Sequence, residues 1–350
     1  MTRLLGLSVL WCLFFSAGGL SQQRSGTAHN ITLDVVVTDK RGAPARGLSQ
    51  QNFTVLDNKQ PQALTSFRAV DVRAGTPAPS IEIVLVIDAI NANVLTADRE
   101  REGIRKFLLQ NGGKLPYPVS IVLVSDDPNQ LRGKPSTDGN LLASQMDQYV
   151  TSLRTINRSQ GYFGVFERFR MSLEALRKLG IYESGKAGRE LVIWIGPGWP
   201  QLISGSTDVT AHDQQHMFQS IVAFSTELRL NHITLYNVET RGLANTSTAQ
   251  YYDYQQFLSG AKSANDVYPA ALSLQVLAVQ TGGRVFNKSN DLPDAIAAEI
   301  GQGVADASPF YVLSFAAGSA EKPNEYHSLQ IKLDKPGLTA RTRTGYYAQP

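Results

Sequence analysis

The apolar positions of this chain keep one rhythm near each end and another in the middle. Ile31, Leu33, Val35 and Val37 alternate with Thr32, Asp34 and Thr38, the period of a strand with one buried face. Asp39-Lys40-Arg41-Gly42 supplies a turn, Phe53 and Val55 resume the pattern, Asp57-Asn58-Lys59 turns the chain again, and Leu64 to Val70 closes the segment. A run of Gly, Pro and Ala at 74–79 reads as a linker.

From Ile81 to about Gly303 the pattern changes to apolar strands separated by amphipathic helices. The runs 83–87, 121–124, 191–195 and 233–238 are nearly continuous in β-branched and aliphatic residues. Strands without a polar face are buried on both sides, which predicts a mostly parallel sheet with helices on both faces, a doubly wound, Rossmann-like α/β layering. Phe166, Phe169, Leu173 and Leu176 share one helical face, as do Met217, Ile221, Phe224 and Leu228. Gly180, and Gly282 or Gly283, are placed to end helices in a left-handed residue.

Strand rhythm returns after Gly303. Phe310 to Phe315 is one strand; Leu329, Ile331 and Leu333 alternate with Gln330 and Lys332; Pro336-Gly337 suits a type II turn before a last strand at 338–343. Neither terminal segment has enough strands to stand alone. The expected layout is a β segment at 30–72, an α/β domain at 80–304 and a β segment at 309–347 that packs with the first into a small β-sandwich.

Residues 1–21 carry Arg3, an apolar run from Leu4 to Phe15 and then Ser16, Ala17, Gly18 and Gly19. This is the layout of a secretory signal peptide, too short to span a bilayer, so the expected location is secreted or periplasmic. No later run approaches the roughly 18 apolar residues of a membrane helix, and no membrane span is expected. The single cysteine, Cys12, falls in the segment to be removed, which excludes disulfides, thiolate nucleophiles and cysteine zinc ligands. A net charge of +3 gives no case for nucleic acid as a partner.

Six pieces in order carry a family resemblance: Thr38 to Gly42, Gly47 to Pro61, Val86 to Asn91, Thr281 to Arg284, Tyr311 to Phe315 and Arg343 to Ala348. Together they resemble a bacterial secreted family related to the von Willebrand factor A (VWA) domain. That resemblance implies an Asp-x-Ser-x-Ser cradle for Mg²⁺ after the first strand, a Thr from a neighbouring loop and an Asp before Gly later on. Here Asp88 keeps its place, while Ile90 and Ala92 stand at the serines and Pro197 at the second carboxylate. Ser159 is the only hydroxyl near the threonine position. One carboxylate is too little anionic oxygen for a strongly hydrated divalent ion, so no cofactor is expected and the adhesion-type metal site is read as degenerate. Asp88 then accepts hydrogen bonds from the loop it begins.

The candidate binding face gathers at the carboxyl ends of the strands, where open α/β sheets bind ligands. It comprises Asp88, Asn91, Asn93, Asp126, Asp127, Trp199, Tyr251, Tyr252 and Tyr254. An exposed Trp199 would anchor a partner; a buried one would cover the sheet. The resulting expectation is a non-enzymatic binding or scaffolding module with an unknown protein partner.

The alternative is a divalent-metal-dependent adhesin or hydrolase using a rebuilt site at Asp88 or the pair His212 and His216. His212-Asp213-Gln214-Gln215-His216 resembles a zinc-protease helix. Its histidines fall off the Met217 stripe, toward solvent, and the Asp is one carbon shorter than the usual Glu. Residues 180–187 imitate a phosphate loop but end in Ala187 and precede a strand, the reverse of the required order.

Overall fold

The first end of the chain folds into β1 (Asn30–Asp39), β2 (Phe53–Asp57), β3 (Gln60–Gln62) and β4 (Leu64–Val70) in the computed structural model. It describes residues 30–72, 80–125, 133–150, 161–183, 186, 188–199, 210–241, 254–287, 292–318 and 320–348. Asn58 and Lys59 take φ of 48° and 69° in the β2–β3 hairpin, the left-handed pair that a tight hairpin requires.

The middle of the chain follows as β5 (Ile81–Asp88), α1 (Val94–Leu108), β6 (Lys114–Val124), β7 (Ser136–Asp138), α2 (Gly139–Val150), α3 (Gly161–Glu183), β8 (Arg189–Gly196), α4 (Ala211–Leu230), β9 (Ile233–Glu239), α5 (Leu274–Gln280), β10 (Val285–Phe286) and α6 (Pro293–Ala305). These strands form one six-stranded sheet in the order β10-β9-β8-β5-β6-β7. Every pairing from β10 to β6 is parallel, and β7 joins the edge antiparallel.

Alternate residues of β5 serve opposite layers. Ile83, Leu85 and Ile87 pack with Ile104 of α1, Leu142 of α2 and Ile300 of α6. Val84 and Val86 pack with Leu176 of α3, Ile221 of α4 and Leu277 of α5. Helices therefore cover both faces, as the unbroken apolar strands predict. Because β6 lies on one side of β5 and β8 on the other, the chain reverses its winding between β5 and β8. The carboxyl ends of those two strands form the crevice where such sheets bind ligands.

The second end contributes β11 (Phe310–Ala316), β12 (Glu325–Leu333), β13 (Leu338–Arg341) and β14 (Gly345–Ala348). Each end supplies two strands to each of two four-stranded sheets, β13-β1-β11-β4 and β14-β12-β2-β3. Leu33, Val55, Leu313, Phe315 and Tyr346, drawn from both sheets, share one apolar cluster. A buried polar clasp also joins the ends: the Asp57 carboxylate lies 2.9 Å from His327 Nδ1 and accepts from Tyr346 Oη at 2.8 Å.

Three local expectations are corrected. Helix α3 does not stop at Gly180 but runs through it to Glu183. A Cβ there would lie 2.5 Å from the Glu227 carboxylate of α4, so this flexible side chain rests in the space that the glycine leaves. Phe166, expected on the inner face of α3, is 47% exposed. The last strand breaks after Arg341 as the chain crosses the α5–β10 turn, where Thr344 N donates to Gln280 O, and it resumes as β14. At the other expected stop the reading holds: Gly282, with φ of 89°, follows α5.

Candidate functional site

Asp88 ends β5 at the crevice and is completely buried. Its Oδ1 accepts from Asn91 N at 3.0 Å, and its Oδ2 accepts from Asn91 Nδ2 at 2.8 Å and from Trp194 Nε1 at 3.0 Å. Asn91 Nδ2 also reaches Ser172 Oγ of α3 at 3.0 Å, and Ser172 donates to Arg168 O. Gly196 leaves room for this knot, because a Cβ there would lie 2.6 Å from Asp88 Cβ. Burial pushes the Asp88 carboxyl above its ordinary range, against the hydrogen bonds from Asn91, Trp194 and Ile90 that favour the charged form. Both oxygens are engaged by the protein, so a cation could reach Asp88 only by displacing those donors.

A second buried acid lies nearby. Glu100 follows the inner face of α1 with Gly103, Ile104 and Phe107, and Thr240 Oγ1 donates to its Oε1 at 2.5 Å. Burial raises its pKa well above the ordinary value, opposed by the Thr240 bond and reinforced by the charge of Asp88. At the end of β9, the buried Glu239 pairs with Arg241 at 2.7 Å and accepts from Gln275 Nε2 at 3.4 Å. These groups bind loops and helices to the strand ends in three separate hydrogen-bonded sets, around Asp88, Glu100 and Glu239.

Ile90 and Ala92, at the expected serine positions, are 1% and 3% exposed, and Ile90 packs with Val86 and Trp194. Asn93 caps α1 by accepting from Thr96 N at 2.9 Å. Beside it Val94 and Leu95 project into solvent, 64% and 61% exposed. Pro197 is half-buried, and Gly198 takes φ of 79°.

The expectation for Trp199 as a binding anchor is corrected. Its side chain is 2% exposed and meets Trp194 edge-on with ring centroids 5.3 Å apart, so it covers the sheet. Tyr254 is half-buried in a short 3-10 turn, Tyr254–Phe257. Asp126, Asp127, Ser159, Tyr251 and Tyr252 lie outside the described residues.

His212 and His216 are exposed on successive turns at the start of α4, with Nε2 atoms 3.0 Å apart. Asp213 between them serves as a cap: its carboxylate accepts from Thr210 Oγ1 at 2.7 Å and its N–H donates back to that hydroxyl. Among the described residues no group of three or more His, Cys, Asp or Glu side chains is arranged to hold a metal.

Sequence reasoning missed Trp194, Glu100 and Thr240. Two signals were present: a tryptophan inside an aliphatic strand needs a partner for its indole N–H, and Glu100 stands four and seven residues before Ile104 and Phe107, on their stripe.

No protein-family model and no curated protein matches the chain. Among solved structures it is similar to human COPII-coat protein Sec24c, at TM-score 0.37 and 9% identity over 86% of this chain and 50% of that one. It is similar to the pilus adhesin SpaC of Lactobacillus rhamnosus GG, at TM-score 0.37 and 11% identity over 85% and 48%. Manganese-loaded TRAP protein of Plasmodium vivax matches at TM-score 0.33 and 9% identity over 81% and 98%. The chain thus spans about half the length of the first two. Its fold is established by the strand order and helix layers above, not by these matches. Among the described residues no helix is long and apolar enough to cross a membrane.

Proposed function

We propose that this protein is an exported, non-enzymatic binding or scaffolding module. In this reading a VWA-like α/β domain at 80–304 has lost its metal site and is carried on a β-sandwich built from 30–72 and 309–347. The observation that carries it is the exchange at the crevice: the Asp88 carboxylate is consumed by Asn91 and Trp194, while the adjoining Val94 and Leu95 stand exposed. Exposed aliphatic pairs beside a closed polar knot suit contact with a protein surface better than ion coordination. Fold analogy agrees with protein binding, as analogy only.

Two measurements test the reading. Calorimetry with Mg²⁺, Mn²⁺ and Zn²⁺ is expected to show no stoichiometric site at Asp88; a tight one removed by Asp88→Ala would support the metal-dependent alternative. Paired captures from envelope extract with wild type and the double variant Val94→Asp, Leu95→Asp are expected to differ by the loss of a specific partner. Identical captures would sink the proposed face.

A further inference from the structure

Helix α4 opens with two imidazoles on one face. Thr210 and Asp213 close its first turn in a reciprocal capping box, and Phe218, Ile221 and Val222 bury its inner side, so the backbone that carries His212 and His216 is held from both directions. Residues four apart on a helix are neighbours. Here the two Nε2 atoms stand 3.0 Å apart, with the rings edge-to-face, their centroids 4.3 Å apart and their planes at 85°. Both side chains are exposed.

That separation is the bite of a chelate. Two imidazole nitrogens bound to one ion at about 2.05 Å and about 90° to each other stand about 2.9 Å apart, whereas a tetrahedral angle spreads them to about 3.3 Å. The pair therefore suits the tetragonal preference of Cu²⁺ or Ni²⁺ more closely than the tetrahedral one of Zn²⁺. The positive end of the helix opposes a cation here. Asp213 offsets it: hydrogen bonds from Thr210 hold its carboxyl below the ordinary range, and its charge is felt at both imidazoles. With Asp213 turned to the Thr210 cap and, among the described residues, no third ligating side chain grouped with the pair, the arrangement suits ion binding and not hydrolysis.

We infer that His212 and His216 form a two-point chelate site for a tetragonal transition-metal dication, Cu²⁺ above all, with water in the remaining positions. Cu²⁺ heads the affinity order for such a nitrogen pair. The site uses none of the residues around Asp88 and is independent of the binding function proposed above.

Titration of the purified protein with Cu²⁺, followed by electron paramagnetic resonance, tests the site. One saturable equivalent with nitrogen ligands is expected. His212→Gln and His216→Gln should each weaken it about tenfold or more, because a lone imidazole loses the advantage of the second. Both replace exposed side chains and should leave the metal-free Tm close to that of wild type. The double variant Gln214→His, His216→Gln keeps the number of histidines but sets them two apart, where they do not face each other; it should bind as weakly as the single variants. His232→Gln and Asp88→Asn should keep the full response, and Zn²⁺ should bind more weakly than Cu²⁺. No saturable Cu²⁺ equivalent, full binding in either single variant or in the double variant, a site lost with His232→Gln or Asp88→Asn, or Zn²⁺ bound as tightly as Cu²⁺ would each overturn the proposal.

Discussion

The indole N–H of Trp194 donates to Asp88 Oδ2 at 3.0 Å, so the carboxylate ending β5 is held by the neighbouring strand β8. The bond closes the crevice from below and gives Asp88 a structural role. Asp88→Ala would strand the Trp194 indole and the Asn91 amide in a dry site, at a cost of about 2–4 kcal/mol. Urea unfolding should show this loss, and Asp88→Asn should cost less because one oxygen still accepts.

Trp199 makes a different prediction from the one its loop position suggested. Trp199→Ala should cost about 3 kcal/mol or more, since it removes a buried ring packed against Trp194. Trp199→Phe should cost far less, because its indole nitrogen is buried with no hydrogen-bond partner among the described residues. A stability loss near zero for the alanine variant would return Trp199 to the surface.

Glu100 should set a pH dependence. Its folded carboxyl keeps a proton above the ordinary value of 4.5 because burial disfavours the charge. Between those two values the folded chain binds more protons than the unfolded one, so its contribution to stability falls as pH rises. Glu100→Gln, which retains an acceptor for Thr240, should match wild type near pH 4 and exceed it at about pH 8. Urea midpoints across that range would show it; parallel curves for the two proteins would refute it.

The Asp57 clasp ties β2 to β12 and β14. Asp57→Ala leaves His327 Nδ1 and Tyr346 Oη with only each other, 3.2 Å apart, in place of a shared carboxylate and should cost about 1–3 kcal/mol. Protease protection should fall in both terminal segments together, because each end contributes strands to the same sheets.

The sequence displayed what depends on local pattern. Ile83 to Ile87 announced a strand buried on both sides, and Ile90 with Ala92 announced apolar side chains, not hydroxyls, in the loop after Asp88. Partnerships between distant positions were not visible: nothing local shows that Trp194 turns its nitrogen to Asp88, or that Asp57 meets His327 and Tyr346. Gly198, with φ of 79°, precedes the inward-facing Trp199, a loop geometry that residue types alone left open. Gly180 misled because a glycine can end a helix or sit inside one, and α3 continues through it to Glu183.

Because β1 pairs with β11, Thr32 and Ser314 meet across 282 positions. During synthesis β1 to β4 emerge long before their partners exist, and neither small sheet can close until β11 to β14 have been made. The central α/β layers can assemble first and bring the two ends together, after which the outer sheets close over the longest loop in the molecule. Closure of the two outer sheets is thus necessarily a late step, one that waits on strands made after the whole central domain.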